Sequence, residues 1–264
     1  PLPPAAPSPA SCQTSPGYAV ASGDNAISSV TAQWSVFGRA ETGWQIYAPL
    51  ITHELGVGCP PQSQAFAAAL AAWQVAHRLP SSGTMDEATL RALDVVWITR
   101  RPFVAASAHG QCPDPPPLTG LATATPGEGY LGKAVLLRPA ALAAYRRMVA
   151  AARSQNPAIA ADPNLLTIVS GYRDPAADAA DCAAKGDCGT AAHAGTCSAH
   201  RTGLAMDLYL GAAPGYDPAS AADANRLWQS RTPAYLWLVA NASRFGFTPY
   251  PFEPWHWEWT GEPP

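Results

Sequence analysis

Two apolar stretches near the C-terminal end each combine histidine with a carboxylate: SAHRTGLAMDLYLG, residues 198–211, and EPWHWEW, residues 253–259. The chain has only six histidines, and two of them stand here, each within seven residues of an acid. Apolar and aromatic surroundings penalise an isolated acid or imidazole unless it is paired or bound to a metal. Two such segments raise the question of a metal centre.

GLAMDLYLG, residues 203–211, reads as a strand, and FTPYPFEPWHWEW closes the chain as an aromatic strand. LLTIVSGYR at 165–173 starts as a β-branched strand and ends in a glycine turn, and a Cys-rich loop is expected over 174–197. Helices are predicted over 62–79, 139–153, 218–230 and 233–245 from their apolar periodicity, with a short helix after a capping Asp86 that ends near Leu93. Strands and helices do not alternate regularly. The expected class is therefore α+β, an antiparallel sheet with flanking helices plus a small N-terminal helical domain.

The boundaries expected are a disordered Pro-rich tail at 1–11, a helical domain at 12–101, a linker rich in Pro, Gly, Ser and Thr at 102–128, and a second domain at 129–264. GEGYLG at 127–132 has dinucleotide-binding spacing, but it lacks the preceding strand and following helix that such a loop requires.

Charged residues make up 13% and hydrophobic residues 48% of 264 residues, with a net charge of −3. That balance excludes ordinary disorder and disfavours nucleic acid and anionic membranes as partners. No uninterrupted apolar run is long enough to span a bilayer. The six cysteines form no CxxC pair, and an even, widely spaced set fits disulfides in an oxidising compartment; Cys12–Cys59 is the one bridge the spacing suggests. The opening PLPPAAPSPAS reads as a mature N-terminus after signal removal or as an artificial boundary.

A catalytic zinc takes three protein ligands and leaves a fourth position open. His200 at the start of one strand, Asp207 within it and His256 on the last strand supply two neutral donors and one anion, provided that the chain bends at Thr202-Gly203. A base is also needed. Glu253 precedes His256 by three residues, Glu258 shares its strand face, and spacing leaves both open.

The set Ser198, His200, Gly203, Ala205, Asp207, then Glu253, Trp255 and His256, with SGYR at 170–173 upstream, resembles the D-Ala-D-Ala metallopeptidases, most closely the D,D-carboxypeptidase branch typified by VanY enzymes. The resemblance covers about 130–260. It implies the D-Ala-D-Ala metallopeptidase/hedgehog-like fold, one Zn2+ per chain on His200, Asp207 and His256, Glu253 as base, and Arg173 facing substrate as a second catalytic group. Ser198, Tyr172 and Trp255 are further substrate-side candidates. Separately, FAAALAAWQVAHRLPSSGTMDEATLRAL resembles the small helical peptidoglycan-binding module found beside many wall hydrolases.

The function expected is a bacterial zinc peptidase, secreted, periplasmic or wall-associated, that acts as a monomer on peptidoglycan stem peptides as a D-alanyl-D-alanine carboxypeptidase. The alternatives are an endopeptidase that cuts cross-links or the L-Ala-D-Glu bond, and a non-catalytic zinc-stabilised wall-binding protein. Every candidate catalytic residue lies after 170, so a fragment from about residue 120 is expected to suffice for catalysis.

Overall fold

The computed structural model of the chain describes residues 10–107, 110–186, 188–189 and 193–261. The Pro-rich tail expected over 1–11 lies outside the described residues as far as residue 9. The chain divides into two units, Pro1–Val96 and Trp97–Pro264.

The first unit is built on α1 (Ala19–Thr31), a short hairpin of β1 (Gln33–Trp34) and β2 (Glu41–Thr42), α2 (Ala48–Glu54), α3 (Gln64–Ala76) and α4 (Glu87–Ile98). Ser63 caps α3 by accepting from the Phe66 N–H; of the helically spaced Phe66, Leu70, Trp73 and His77, the first three are buried and His77, at the C-cap, is exposed. Asp86 caps α4 through the Thr89 N–H at 2.7 Å, and the helix runs past Leu93 to Ile98. Gln74, with no exposed surface, joins the two helices: its amide donates to Thr89 Oγ1 and the Thr84 carbonyl, and its Oε1 accepts from the Gly83 N–H. Gly83 adopts φ +71, where a Cβ would lie 2.6 Å from the Ala67 carbonyl oxygen, so only glycine fits. Cys12 and Cys59 form a disulfide, as their spacing suggested.

The second unit runs through α5 (Pro102–Ala106), β3 (Ala122–Thr123), β4 (Leu136–Leu137), α6 (Pro139–Gln155), α7 (Pro157–Ala161), β5 (Ile168–Ser170), α8 (Pro175–Lys185), β6 (His193–Ala194), β7 (Cys197–Ser198), β8 (Ala205–Leu208), α9 (Asp223–Gln229), α10 (Pro233–Asn241), β9 (Phe247–Pro249) and β10 (His256–Trp259). The main sheet has the order β5-β8-β10-β9, antiparallel throughout, so the fold is α+β. Helix α6 buries Leu142, Tyr145 and Met148, and the Tyr145 hydroxyl donates to the Leu166 carbonyl ahead of β5.

Two expectations need correction. Residues 102–128 are not a linker: they lie inside the second unit, where Phe103 packs in a buried cluster with Cys197, Ala199 and Ala205. A Cys112–Cys197 disulfide ties this stretch down. With a sequence separation of 85, closing that loop contributes about 4 to 5 kcal/mol by the chain-entropy argument. The presumed loop at 174–197 instead opens as α8, capped by Asp174 on the Ala176 and Ala177 N–H groups, with Pro175 in its first turn and Gly186 ending it at φ +70. Cys182 on this helix pairs with Cys188.

Candidate metal centre

The register of β8 and β10 creates the site. His256 is the direct cross-strand partner of Asp207, Trp257 of Met206 and Glu258 of Ala205. Successive side chains on a strand alternate faces, so His256, Glu258 and Asp207 share one face while Met206 and Trp257 go to the other. His200 reaches the same face from a single turn of 3-10 helix, Ala199–Thr202, and Gly203 at φ +70 swings the chain from that turn into β8. A Cβ at Gly203 would press on Leu121 at 3.0 Å.

His200, Asp207 and His256 are all buried and present ligand atoms within 4.8 Å of one another. His200 Nε2 lies 3.2 Å and His256 Nδ1 3.0 Å from the same atom, Asp207 Oδ1. Tetrahedral zinc with bonds of about 2.0–2.1 Å places its donors about 3.3 Å apart, so these separations fit. The ring atoms fit as well. His200 Nδ1 lies 2.7 Å from the Gly171 carbonyl, which directs its N–H there and leaves the Nε2 lone pair facing the centre. His256 Nε2 is buried without a hydrogen-bond partner among the described residues and lies 3.4 Å from Glu258 Oε1.

Without a cation the three groups share charge as their surroundings require. Burial, followed by the nearby Arg173 guanidinium, lowers the His200 imidazole to about 4. Burial opposes charge on His256 too, but its bond to Asp207 and the neighbouring Glu258 outweigh it and lift the ring to about 9. Burial would raise Asp207; the two histidines overcome this and hold its carboxyl well below the ordinary range. A cation held there would balance the Asp207 charge in place of a proton on His256.

Glu253 stands at the edge of this set, with Oε2 3.9 Å from His256 Nδ1. The turn that places it is closed by Glu253 N–H to the Tyr250 carbonyl and His256 N–H to the Glu253 carbonyl. Burial chiefly pushes its carboxyl up, and the Asp207 charge adds to this against the pull of His256. Glu253, His200 and His256 line one pocket together with Ser198, Arg173, Arg101, Lys185 and Tyr250.

The substrate-side candidates fare differently. Arg173 lines the pocket, and its Nη1 donates to Asp181 at 2.6 Å while Nη2 lies 3.6 Å from Asp207 Oδ2. Ser198 lines it too, but its hydroxyl donates to Asp178 at 2.5 Å and accepts from the His200 N–H, capping the turn. Tyr172 and Trp255 are not among the lining residues. Trp255 is 3% exposed and gives its carbonyl to the Leu208 N–H; it is core.

Sequence reasoning missed the acidic face of α8. Asp178 is fully buried and takes both the N–H and the hydroxyl of Ser198, with Arg173 and Arg201 within 3.8 and 3.5 Å. Asp181 bridges Arg173 and Lys185, at 2.6 and 2.9 Å. The signal was available: Asp174-Pro175 begins a helix and Gly186 ends one, which sets Asp178, Asp181 and Lys185 at positions i, i+3 and i+7. Arg101 was missed because it lies 157 residues from its partner Glu258.

No curated protein and no solved structure matches the chain. A family model does: residues 134–262 match VanY, described as D-alanyl-D-alanine carboxypeptidase, a span that holds the whole His200, Asp207, His256 and Glu253 set, and by this match the C-terminal region of the chain belongs to the VanY family.

Proposed function

We propose that this chain is a zinc-dependent peptidase of peptidoglycan stem peptides that removes a terminal D-Ala. The observation that carries the reading is the convergence of His200, Asp207 and His256 on one face of the sheet with Glu253 beside them in a pocket. His200 Nε2, Asp207 Oδ1 and His256 Nδ1 would hold one zinc, which supplies a Lewis acid for carbonyl polarisation and water activation. Glu253, a carboxylate whose proton affinity is raised first by burial, takes a proton from the attacking water at a carboxylate oxygen and gives it to the departing amine. Arg173 and Lys185 line the pocket beside Glu253 and suit the free carboxylate of a peptide C-terminus. That preference favours a carboxypeptidase over an endopeptidase.

Three disulfides support an extracellular, wall-associated setting, and no described helix is long and apolar enough to cross a membrane. The first unit is the proposed peptidoglycan-binding module, on the Gln74, Gly83 and Thr89 pattern. Digestion of purified muropeptides followed by mass analysis tests the activity. Loss of one D-Ala from pentapeptides, abolished by chelator and restored by zinc, is expected; cleavage only within cross-links would replace this reading with the endopeptidase, and no zinc-dependent product would refute it.

A further inference from the structure

We propose that Arg101 and Glu258 form a positioning pair for the metal centre, and that the segment from Trp97 to Cys112, which precedes the family-matched residues, is a working part of the catalytic unit. The proposal rests on the reading of His256 as a metal ligand.

Glu258 Oε1 accepts from Arg101 Nε at 2.5 Å, and Oε2 accepts from the Phe103 N–H at 3.1 Å. The same Oε1 lies 3.4 Å from His256 Nε2, a ring nitrogen with no hydrogen-bond partner among the described residues. Arg101, Glu258 and His256 are 1%, 2% and 3% exposed, so water does not substitute for any of these contacts. A ligating imidazole offers one nitrogen to the metal and must place the N–H of the other. Glu258 is the carboxylate that stands beside that nitrogen, and Arg101 and Phe103 fix where its oxygens lie.

Arg101 also reaches the centre by a second route. Its guanidinium stacks 4.0 Å over the Tyr250 ring, and the Tyr250 N–H donates to the His256 carbonyl at 3.0 Å. One residue outside the matched family span thereby bears on both the ring and the backbone of His256. Phe103 in its buried cluster and the Cys112–Cys197 bridge hold this segment in place. A buried ion pair contributes little net stability when compared with apolar side chains of the same volume. Its use here is geometric.

The test measures two quantities on full-length protein: zinc dissociation constant by chelator competition, and thermal midpoint of the metal-free form. The variants are Glu258→Gln, Arg101→Met, and the double Arg101→Met/Glu258→Leu, with His200→Ala as control. Glu258→Gln is expected to weaken zinc binding about 10- to 100-fold. Arg101→Met leaves a buried carboxylate without its cation and is expected to lower the midpoint most. The double variant removes both charges and is expected to regain most of that midpoint while zinc binding stays about 10- to 100-fold weak. A double variant that binds zinc as tightly as the unchanged protein, while His200→Ala does not, overturns the positioning role alone. If His200→Ala also binds zinc unchanged, the metal assignment falls and this proposal falls with it.

Discussion

His256 stands directly across from Asp207 in the β8–β10 ladder, with its Nδ1 3.0 Å from Asp207 Oδ1. An antiparallel register therefore assembles two of the three proposed ligands, and a one-residue slip would send His256 to the face occupied by Trp257. The third, His200, arrives on the turn ahead of β8, 3.2 Å from the same oxygen.

His200→Ala and His256→Ala should each lose stoichiometric zinc in metal analysis of the purified protein. Removing an imidazole leaves two ligands, too few for a catalytic zinc site. Zinc retained at one per chain in both variants would refute the ligand set.

Glu253→Gln should lower turnover of a pentapeptide ending in D-Ala-D-Ala by about 10² to 10⁴ and keep zinc near one per chain. The amide preserves the side-chain shape but cannot accept the proton. Glu258→Gln differs in kind: its carboxylate faces His256 Nε2, so it should weaken metal binding. From spacing alone Glu258 was a second candidate for the base, on the same strand face as His256. Activity undiminished in Glu253→Gln would remove it as the base.

A fragment beginning at residue 120 should fail to bind zinc tightly, against the expectation from sequence that it would suffice. It discards Arg101, the Phe103 N–H and Cys112, all of which hold parts of the centre. A fragment beginning at Trp97, where the second unit starts, should bind zinc as the full chain does. Equal affinity in the two fragments would show that the segment 97–112 is dispensable.

What was legible in the sequence was short-range. The His200–Asp207 spacing, the glycine bend and the Glu253–His256 turn each lie within a few residues and were readable as candidates; spacing left Glu253 and Glu258 both open as base, and only the family resemblance pointed to Glu253. The Gln74, Gly83 and Thr89 pattern marked a real hydrogen-bonded turn for the same reason. Pairings across long separations were not legible: Arg101 with Glu258, Cys112 with Cys197, and Asp178 with Ser198. Helix α8 was misread because its body of alanine, aspartate and cysteine carries no large apolar side chain, although its caps were present. Trp255 stood as a substrate-side candidate because an aromatic strand reads alike whether it faces a site or the core.

Glu128 offers a pH test that does not involve the candidate metal ligands. Its hydrogen bond to Arg146 outweighs partial burial, and with the Thr125 N–H it lowers the carboxyl to about 2. A carboxyl with a depressed folded pKa stabilises the protein above its ordinary value of 4.5 and loses that contribution as pH falls toward about 2. Arg146 is half exposed, so the contribution is about 1 kcal/mol or less. Glu128→Gln should therefore be less stable at pH 6 in urea titrations, with the gap narrowing between pH 4.5 and 3; a constant gap would assign its effect to packing.

Asp178→Asn should uncouple the α8 side of the pocket from the metal. Asp178 accepts from the Ser198 N–H at 2.7 Å and its hydroxyl at 2.5 Å, and it faces Arg173 and Arg201. The amide retains one acceptor oxygen and turns N–H donors toward a backbone N–H or two cations. Breaking a buried charge cluster on one side costs about 3 kcal/mol, so the melting temperature should fall. Arg173 keeps Asp181 at 2.6 Å but loses a charge that sets its angle to the pocket. In the functional reading proposed above, that should raise KM for peptides with a free C-terminal carboxylate more than it lowers kcat, because binding of the carboxylate depends on Arg173 while Glu253 and the three ligands keep their places. Zinc content should remain near one per chain. Peptide amides, which lack the carboxylate, should show little change in KM. If KM rises equally for peptide acids and amides, Asp178 acts only through general stability, and Arg173 does not read the terminal carboxylate.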